Sequence, residues 1–260
     1  MTVYNSIGQS YAKFRRPDPR IVDSIINLLQ LEKGSLIADI GAGTGNYSRA
    51  IAERGFFVQA VEPSLVMRQQ ATEHPQVQWF AGYAEELPLA TASVDAVICI
   101  LASHHFSNLE QAIKEMHRVT KKGALVFLTF DPAECENFWL LDYFPSFREY
   151  DLRLFSSINN VANLIATHTS RKVEISTFLL PPDLTDMFAA AGWKQPKIYL
   201  DPEVRACISA FALADANVVE RGINLLKEDL NSGRWNAIYG EIKQLQEIDL
   251  GYRFLRAILD

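Results

Sequence analysis

The residues with the clearest chemical meaning lie in Leu36-Ile37-Ala38-Asp39-Ile40-Gly41-Ala42-Gly43-Thr44-Gly45. An apolar run closes there, and an acidic residue stands two positions before a G-x-G-x-G loop. Glycines permit a sharp strand-to-helix turn and leave no Cβ in the way of a ligand. A dinucleotide loop would read G-x-G-x-x-G and set pyrophosphate on helix N–H groups. Here the third glycine comes one residue early. The Asp39 carboxylate suits a ligand bearing an ammonium and a sulfonium and suits pyrophosphate badly. Glu62 closes the next apolar run, Phe57-Val58-Gln59-Ala60-Val61. One carboxylate at such a strand end can accept both hydrogen bonds of a ribose diol. That geometry also serves a nicotinamide enzyme, so Glu62 does not separate the two. His104 and His105 are the only adjacent histidines. A neutral imidazole can take a proton from a hydroxyl, an amine or an acidic carbon, which makes His105 the candidate catalytic base. No His/Asp/Glu spacing suggests a metal site.

These groups need strands and helices to hold them. Strand-like runs fall at Leu36–Ile40, Phe57–Val61, Val77–Ala81, Val94–Ile100 and Ala124–Phe130. Helix candidates lie near 45–54, 64–73 and 108–119. Strand and helix in turn imply a parallel sheet covered on both faces. Ahead of the sheet, Ile21, Ile25 and Leu28-Leu29 predict a helix entered from Asp18. Ser157–Ile165 has helical periodicity. Lys172–Leu180 alternates as a strand and stops at Pro181-Pro182, and Leu250–Leu259 reads as a seventh, antiparallel strand. The expected fold is therefore α/β: a doubly wound, mostly parallel seven-stranded sheet. Residues 1–180 plus 248–260 would form the cofactor-binding domain, and 181–247 a helical cap.

The 260 residues carry 25 basic and 31 acidic side chains, a net charge of −6. That balance disfavours a nucleic-acid partner, because neutralising phosphates takes a basic surface. The apolar runs are too short to span a bilayer, so no membrane partner is expected. Met1–Asn5 lack the basic and apolar regions of a signal peptide. Cys99, Cys135 and Cys207 are far apart and include no C-x-x-C, as reduced thiols of a cytoplasmic protein would be.

Five segments, in order, resemble the class I S-adenosylmethionine-dependent methyltransferases. The glycine loop and Glu62 are the first two. Gly82-Tyr83-Ala84-Glu85-Glu86-Leu87-Pro88-Leu89 resembles the family's G-D-A-x-x-L-P-F segment, which holds adenine. Tyr83 replaces its aspartate, so the resemblance leaves the adenine edge to the Ala84 backbone and Glu85, with the role of Tyr83 open. Ser93–Ile100 followed by Leu101-Ala102-Ser103-His104-His105-Phe106 resembles the fourth strand and its L-H-H-F loop. Ala112–Leu125 matches the following helix, basic turn and fifth strand. A sixth match, Tyr4…Tyr11-Ala12-Lys13-Phe14-Arg15-Arg16-Pro17, resembles the opening of the branch that includes quinone-biosynthesis methyltransferases.

The resemblance implies S-adenosylmethionine as cofactor. Asp39, Gly41, Gly43 and Gly45 would hold its methionyl part and Glu62 its ribose. Tyr11, Pro63, Ser64, Met67 and Ile100 would border it. Arg16, with Arg15 a close rival, would meet the methionyl carboxylate. The N/D-P-P-Y/F motif of enzymes that methylate nucleobase or amide nitrogens is missing after the fourth strand. With the acidic charge, this disfavours nucleobase and protein amide acceptors, and by analogy with the family the resemblance implies a small-molecule acceptor, quinone-like or a specialised metabolite. Positioning alone can drive transfer from an activated sulfonium, so a base is optional. The alternatives are a NAD-dependent oxidoreductase and a non-catalytic cofactor-binding partner protein.

Overall fold

The computed structural model describes residues 14–135 and 138–259. Tyr4 and Tyr11, named above, lie outside the described residues. The chain enters through α1 (Pro19–Leu29), whose first turn is set by Asp18 accepting from the Arg20 N–H at 3.0 Å and by proline at the first helical position. Ile21, Val22, Ile25 and Leu29 bury one stripe of it.

Strand and helix then alternate. The strands are β1 (Leu36–Ile40), β2 (Phe57–Val61), β3 (Val77–Phe80), β4 (Ala96–Ile100), β5 (Gly123–Phe130), β6 (Val173–Thr177) and β7 (Tyr252–Leu259). They form one sheet in the order β3-β2-β1-β4-β5-β7-β6. The first five run parallel, and β7 lies antiparallel between β5 and β6. Alternate residues of the central strands feed two separate cores. Ile37, Ile98, Val126 and Leu128 pack towards α1 and α2 (Asn46–Ala52). Ala38, Ile40, Val97 and Phe127 pack towards α4 (Leu109–Val119) and α7 (Ile158–Thr169). Burial on both faces is why β4 and β5 read as unbroken apolar runs. The helix expected over 64–73 is a single turn, α3 (Leu65–Arg68). The polar stretch after it offers no apolar stripe to bury.

The chain order reverses at β1, whose neighbours are β2 and β4. Ligands of open parallel sheets bind outside the carboxyl ends of the strands at such a point.

Helices also come from two insertions. After β5 lie α5 (Leu140–Tyr143) and α6 (Ser146–Leu154). Between β6 and β7 lie α8 (Pro202–Ala206), α9 (Ser209–Leu213), α10 (Ala216–Ser232) and α11 (Arg234–Tyr239). The two stretches interlock. The Trp139 indole N–H donates to the Trp193 carbonyl at 2.7 Å, Tyr143 to Asp229 at 2.8 Å and Tyr239 to Asp142 at 2.6 Å. The helical layer thus draws on residues 138–155 as well as on 181–247. It has no separate core: Ile25, Phe130, Trp193, Tyr199 and Trp235 belong to one apolar cluster.

Candidate functional site

A cavity of about 430 Å³ opens at the reversal point. Its floor is the glycine loop. Gly41 N–H donates to the Val61 carbonyl at 2.9 Å, which pins the loop to the end of β2. Gly43 has φ +58°, a left-handed conformation glycine adopts at no steric cost, and lines the cavity. Gly45 serves packing instead. At φ +72° it precedes α2, and a Cβ there would sit 2.4 Å from the Trp79 ring. It is not part of the cavity wall.

Glu62 lines the cavity while remaining 8% exposed. Gly43 N–H donates to Oε2 at 3.0 Å and Ser64 N–H to Oε1 at 2.9 Å. Each oxygen keeps a further lone pair. Burial pushes the carboxyl above its ordinary range, and those two N–H groups oppose the shift. Asp39 sits beneath the loop rather than in the wall. It is fully enclosed and accepts from the Ser48 hydroxyl at 2.6 Å. Burial pushes its carboxyl up to about 7, against the Ser48 hydrogen bond and with help from the Glu62 charge.

Pro63, Met67, Ala84, Glu85 and Ile100 all stand in the wall. Ser64 does not; it caps α3, accepting from Met67 N–H at 3.3 Å. Glu85 is engaged at Oε1 by the Ser107 hydroxyl at 2.8 Å and the Asn108 N–H at 3.0 Å. Burial disfavours its charge, but these bonds outweigh burial and leave the carboxyl below its usual range. Tyr83 is 64% exposed at the rim.

After β4 the chain turns through Leu101 at φ +50°, a strained value for a branched residue. The turn delivers His105 into the cavity wall and His104 behind it. His105 meets solvent through the mouth while protein encloses the rest of its ring. That enclosure, with the Arg15 charge, pushes its pKa down to about 4. His104 is held neutral by burial, then by His105 and Arg15. The two ring centroids lie 3.8 Å apart with the planes tilted by 50°.

Arg15 stands in the wall, whereas Arg16 is exposed and outside it. Arg15 pairs in a β-bridge with Asp186, and in extended chain neighbouring side chains point to opposite sides. The Arg15 guanidinium bonds the buried Asp186 carboxylate, which also accepts from the Tyr47 hydroxyl at 2.9 Å. Asp186 was not legible in the sequence, because it joins the wall from a segment far along the chain. Tyr47 followed the glycine loop directly and could have been named. No group of three or more metal-binding side chains occurs among the described residues, and no described helix is long and apolar enough to cross a membrane.

Comparison with known proteins agrees with this architecture. The methyltransferase domain family matches residues 38–128, from the glycine loop through β5. A crystallised methyltransferase ascribed to an antibiotic biosynthesis pathway of Anabaena variabilis is 57% identical, over 95% of this chain and all of that one, with a TM-score of 0.93. A ubiquinone/menaquinone biosynthesis C-methyltransferase of Rubrivivax gelatinosus is 35% identical over 171 residues, spanning 63% of this chain and 64% of that protein. A malonyl-[acyl-carrier protein] O-methyltransferase of Pseudescherichia vulneris is 32% identical over 127 residues, 46% of this chain and 47% of that one. The chain belongs to the class I S-adenosylmethionine-dependent methyltransferases. That membership sets the nicotinamide reading aside. The named relatives differ in acceptor atom, carbon in one and oxygen in another. Identity at this level therefore does not transfer an acceptor.

Proposed function

We propose that the chain transfers a methyl group from S-adenosylmethionine to a small-molecule acceptor, in specialised-metabolite or quinone-like biosynthesis. The observation that carries this reading is the cavity itself. Its floor is a glycine turn, a buried carboxylate stands in its wall, and it adjoins a second cavity beneath a helical cap. The bound cofactor supplies a methyl carbon on a positively charged sulfur. Gly41 and Gly43 let the backbone approach the methionyl part. Glu62, already oriented by two N–H groups, accepts from the ribose diol. Ala84 presents its backbone to the adenine edge, and Pro63, Met67 and Ile100 close around it. Arg15 is the cation placed to meet the carboxylate end.

Asp39 contributes from below by charge rather than contact. His105, neutral across physiological pH, can take a proton from an acceptor hydroxyl or amine. Residues 181–247, with 138–155, exclude water and confine the acceptor. Formation of S-adenosylhomocysteine from S-adenosylmethionine tests the reading. It should depend on added low-molecular-weight phenols, quinols or amines and be absent with DNA, RNA or protein alone. Turnover on macromolecules with none on the small acceptors would reject it.

A further inference from the structure

A second cavity of about 60 Å³ adjoins the first beneath the cap, with Arg15 and Leu101 in the wall of both. It has room for about four water-sized groups, enough for the head of a small molecule. One side of its wall is a run of rings, and Cys207, Ile208, Ser209 and Ala210 complete it. Phe155 stacks on His104 at 4.1 Å and meets Phe130 edge-on at 5.1 Å. Phe130 lies 5.0 Å from Tyr252, and Tyr252 lies 4.5 Å from Phe188.

One carboxylate enters this aromatic wall, Asp151 on α6. Burial pushes its carboxyl up to about 7. Among the described residues no hydrogen-bond donor or cation pairs with it. Arg15, at the boundary, is already bonded to the buried Asp186. His104 is held neutral, and its Nδ1 is buried with no hydrogen-bond partner in the structure. The wall thus holds one cation, Arg15, which is bonded to Asp186 outside it, and one carboxylate, Asp151, which has no such partner.

A carboxylate enclosed by rings and left without a partner is costly unless a ligand supplies the missing charge. Ring faces also attract cations. An ammonium satisfies both the carboxylate and the rings.

We propose that this second cavity is the acceptor subsite and that Asp151 anchors a protonated amine of the acceptor against the aromatic wall. The acceptor atom then faces the first cavity past Leu101. The inference rests on the methyl-transfer reading and adds the class of molecule the site selects.

The test uses benzylamine, benzyl alcohol and benzoate as probes, titrated by proton NMR into the full chain with and without S-adenosylhomocysteine. The wild type should bind benzylamine at least about tenfold more tightly than either other probe. Asp151→Asn should bring benzylamine and benzyl alcohol to within about twofold while leaving S-adenosylhomocysteine affinity unchanged. Asp151→Ala serves as the second variant should the first not fold. Equal binding of amine and alcohol by the wild type would overturn the proposal without any variant. So would an amine preference that survives in Asp151→Asn. Failure of S-adenosylhomocysteine to bind the wild type would strike the methyl-transfer reading instead. The amine preference, read without it as well, is decided separately.

Discussion

Glu62 stands in the cavity wall and Asp39 is buried beneath the glycine turn. Glu62 is oriented before any ligand arrives, because its two oxygens already receive N–H groups from Gly43 and Ser64. Glu62→Ala should weaken S-adenosylhomocysteine binding by about 1.5–3 kcal/mol, the worth of hydrogen bonds to a charged group, in a protein that still folds. Calorimetric titration checks it, and unchanged affinity would remove Glu62 from the site. Asp39 should reveal itself through pH. Burial pushes its carboxyl up to about 7 in the folded chain, well above the ordinary range of an aspartate. An acid raised on folding favours the native state fully at low pH, and that contribution is lost as pH climbs through 7. Asp39→Asn, which keeps an acceptor for Ser48, should therefore gain melting temperature relative to wild type at pH 8 and gain little at pH 5. The sulfonium and ammonium of S-adenosylmethionine favour the ionised form. Affinity for S-adenosylmethionine should thus rise from pH 5.5 to about 7.5 and then level off, with protons released on binding below that point. A flat profile in the wild type would show that Asp39 does not sense the ligand.

The three loop glycines look alike in sequence and act differently at the scale of the element. Gly43 forms cavity floor, while Gly45 makes room for Trp79 behind the loop. Gly43→Ala should cost about 1–2 kcal/mol of stability for its left-handed backbone and should weaken cofactor binding further, because the methyl group enters ligand space. Gly45→Ala pays the same backbone strain and about 1–3 kcal/mol more for overpacking against Trp79. Chemical denaturation with parallel ligand titration separates the two effects. Equal stability losses would show that Trp79 swings aside. The strands and α1 were legible because alternating burial and capping leave local marks: continuous apolar runs for β4 and β5, Asp18-Pro19 for α1. The loop glycines were legible as a motif but not in their separate duties, since those depend on what packs behind each Cβ. Arg15 and Arg16 show the same limit. Their composition is identical, and only the β-bridge to Asp186 decides which one faces the cavity.

Across the whole molecule, the sheet and the cap are joined at the site by Asp186. It receives Arg15 from the entering chain and Tyr47 from α2. Sequence pattern marked residues 181–247 as mostly helical. Asp186 carried no such mark, because its contacts to Arg15 and Tyr47 span more than a hundred residues and leave no local signature. Asp186→Ala strands a half-buried guanidinium and should cost about 3–5 kcal/mol, seen as a lower urea midpoint with an unchanged slope. A loss below about 1 kcal/mol would mean that the pair is an exposed one in solution. On the proposed function the cofactor lies on the glycine floor, with its ribose on Glu62 and its sulfur towards the cap. A crystal structure of the protein with S-adenosylhomocysteine measures this directly. Both ribose hydroxyls should fall within hydrogen-bonding distance of the Glu62 carboxylate, with the sulfur facing Leu101. Ligand density outside this cavity, or a ribose turned away from Glu62, would contradict it.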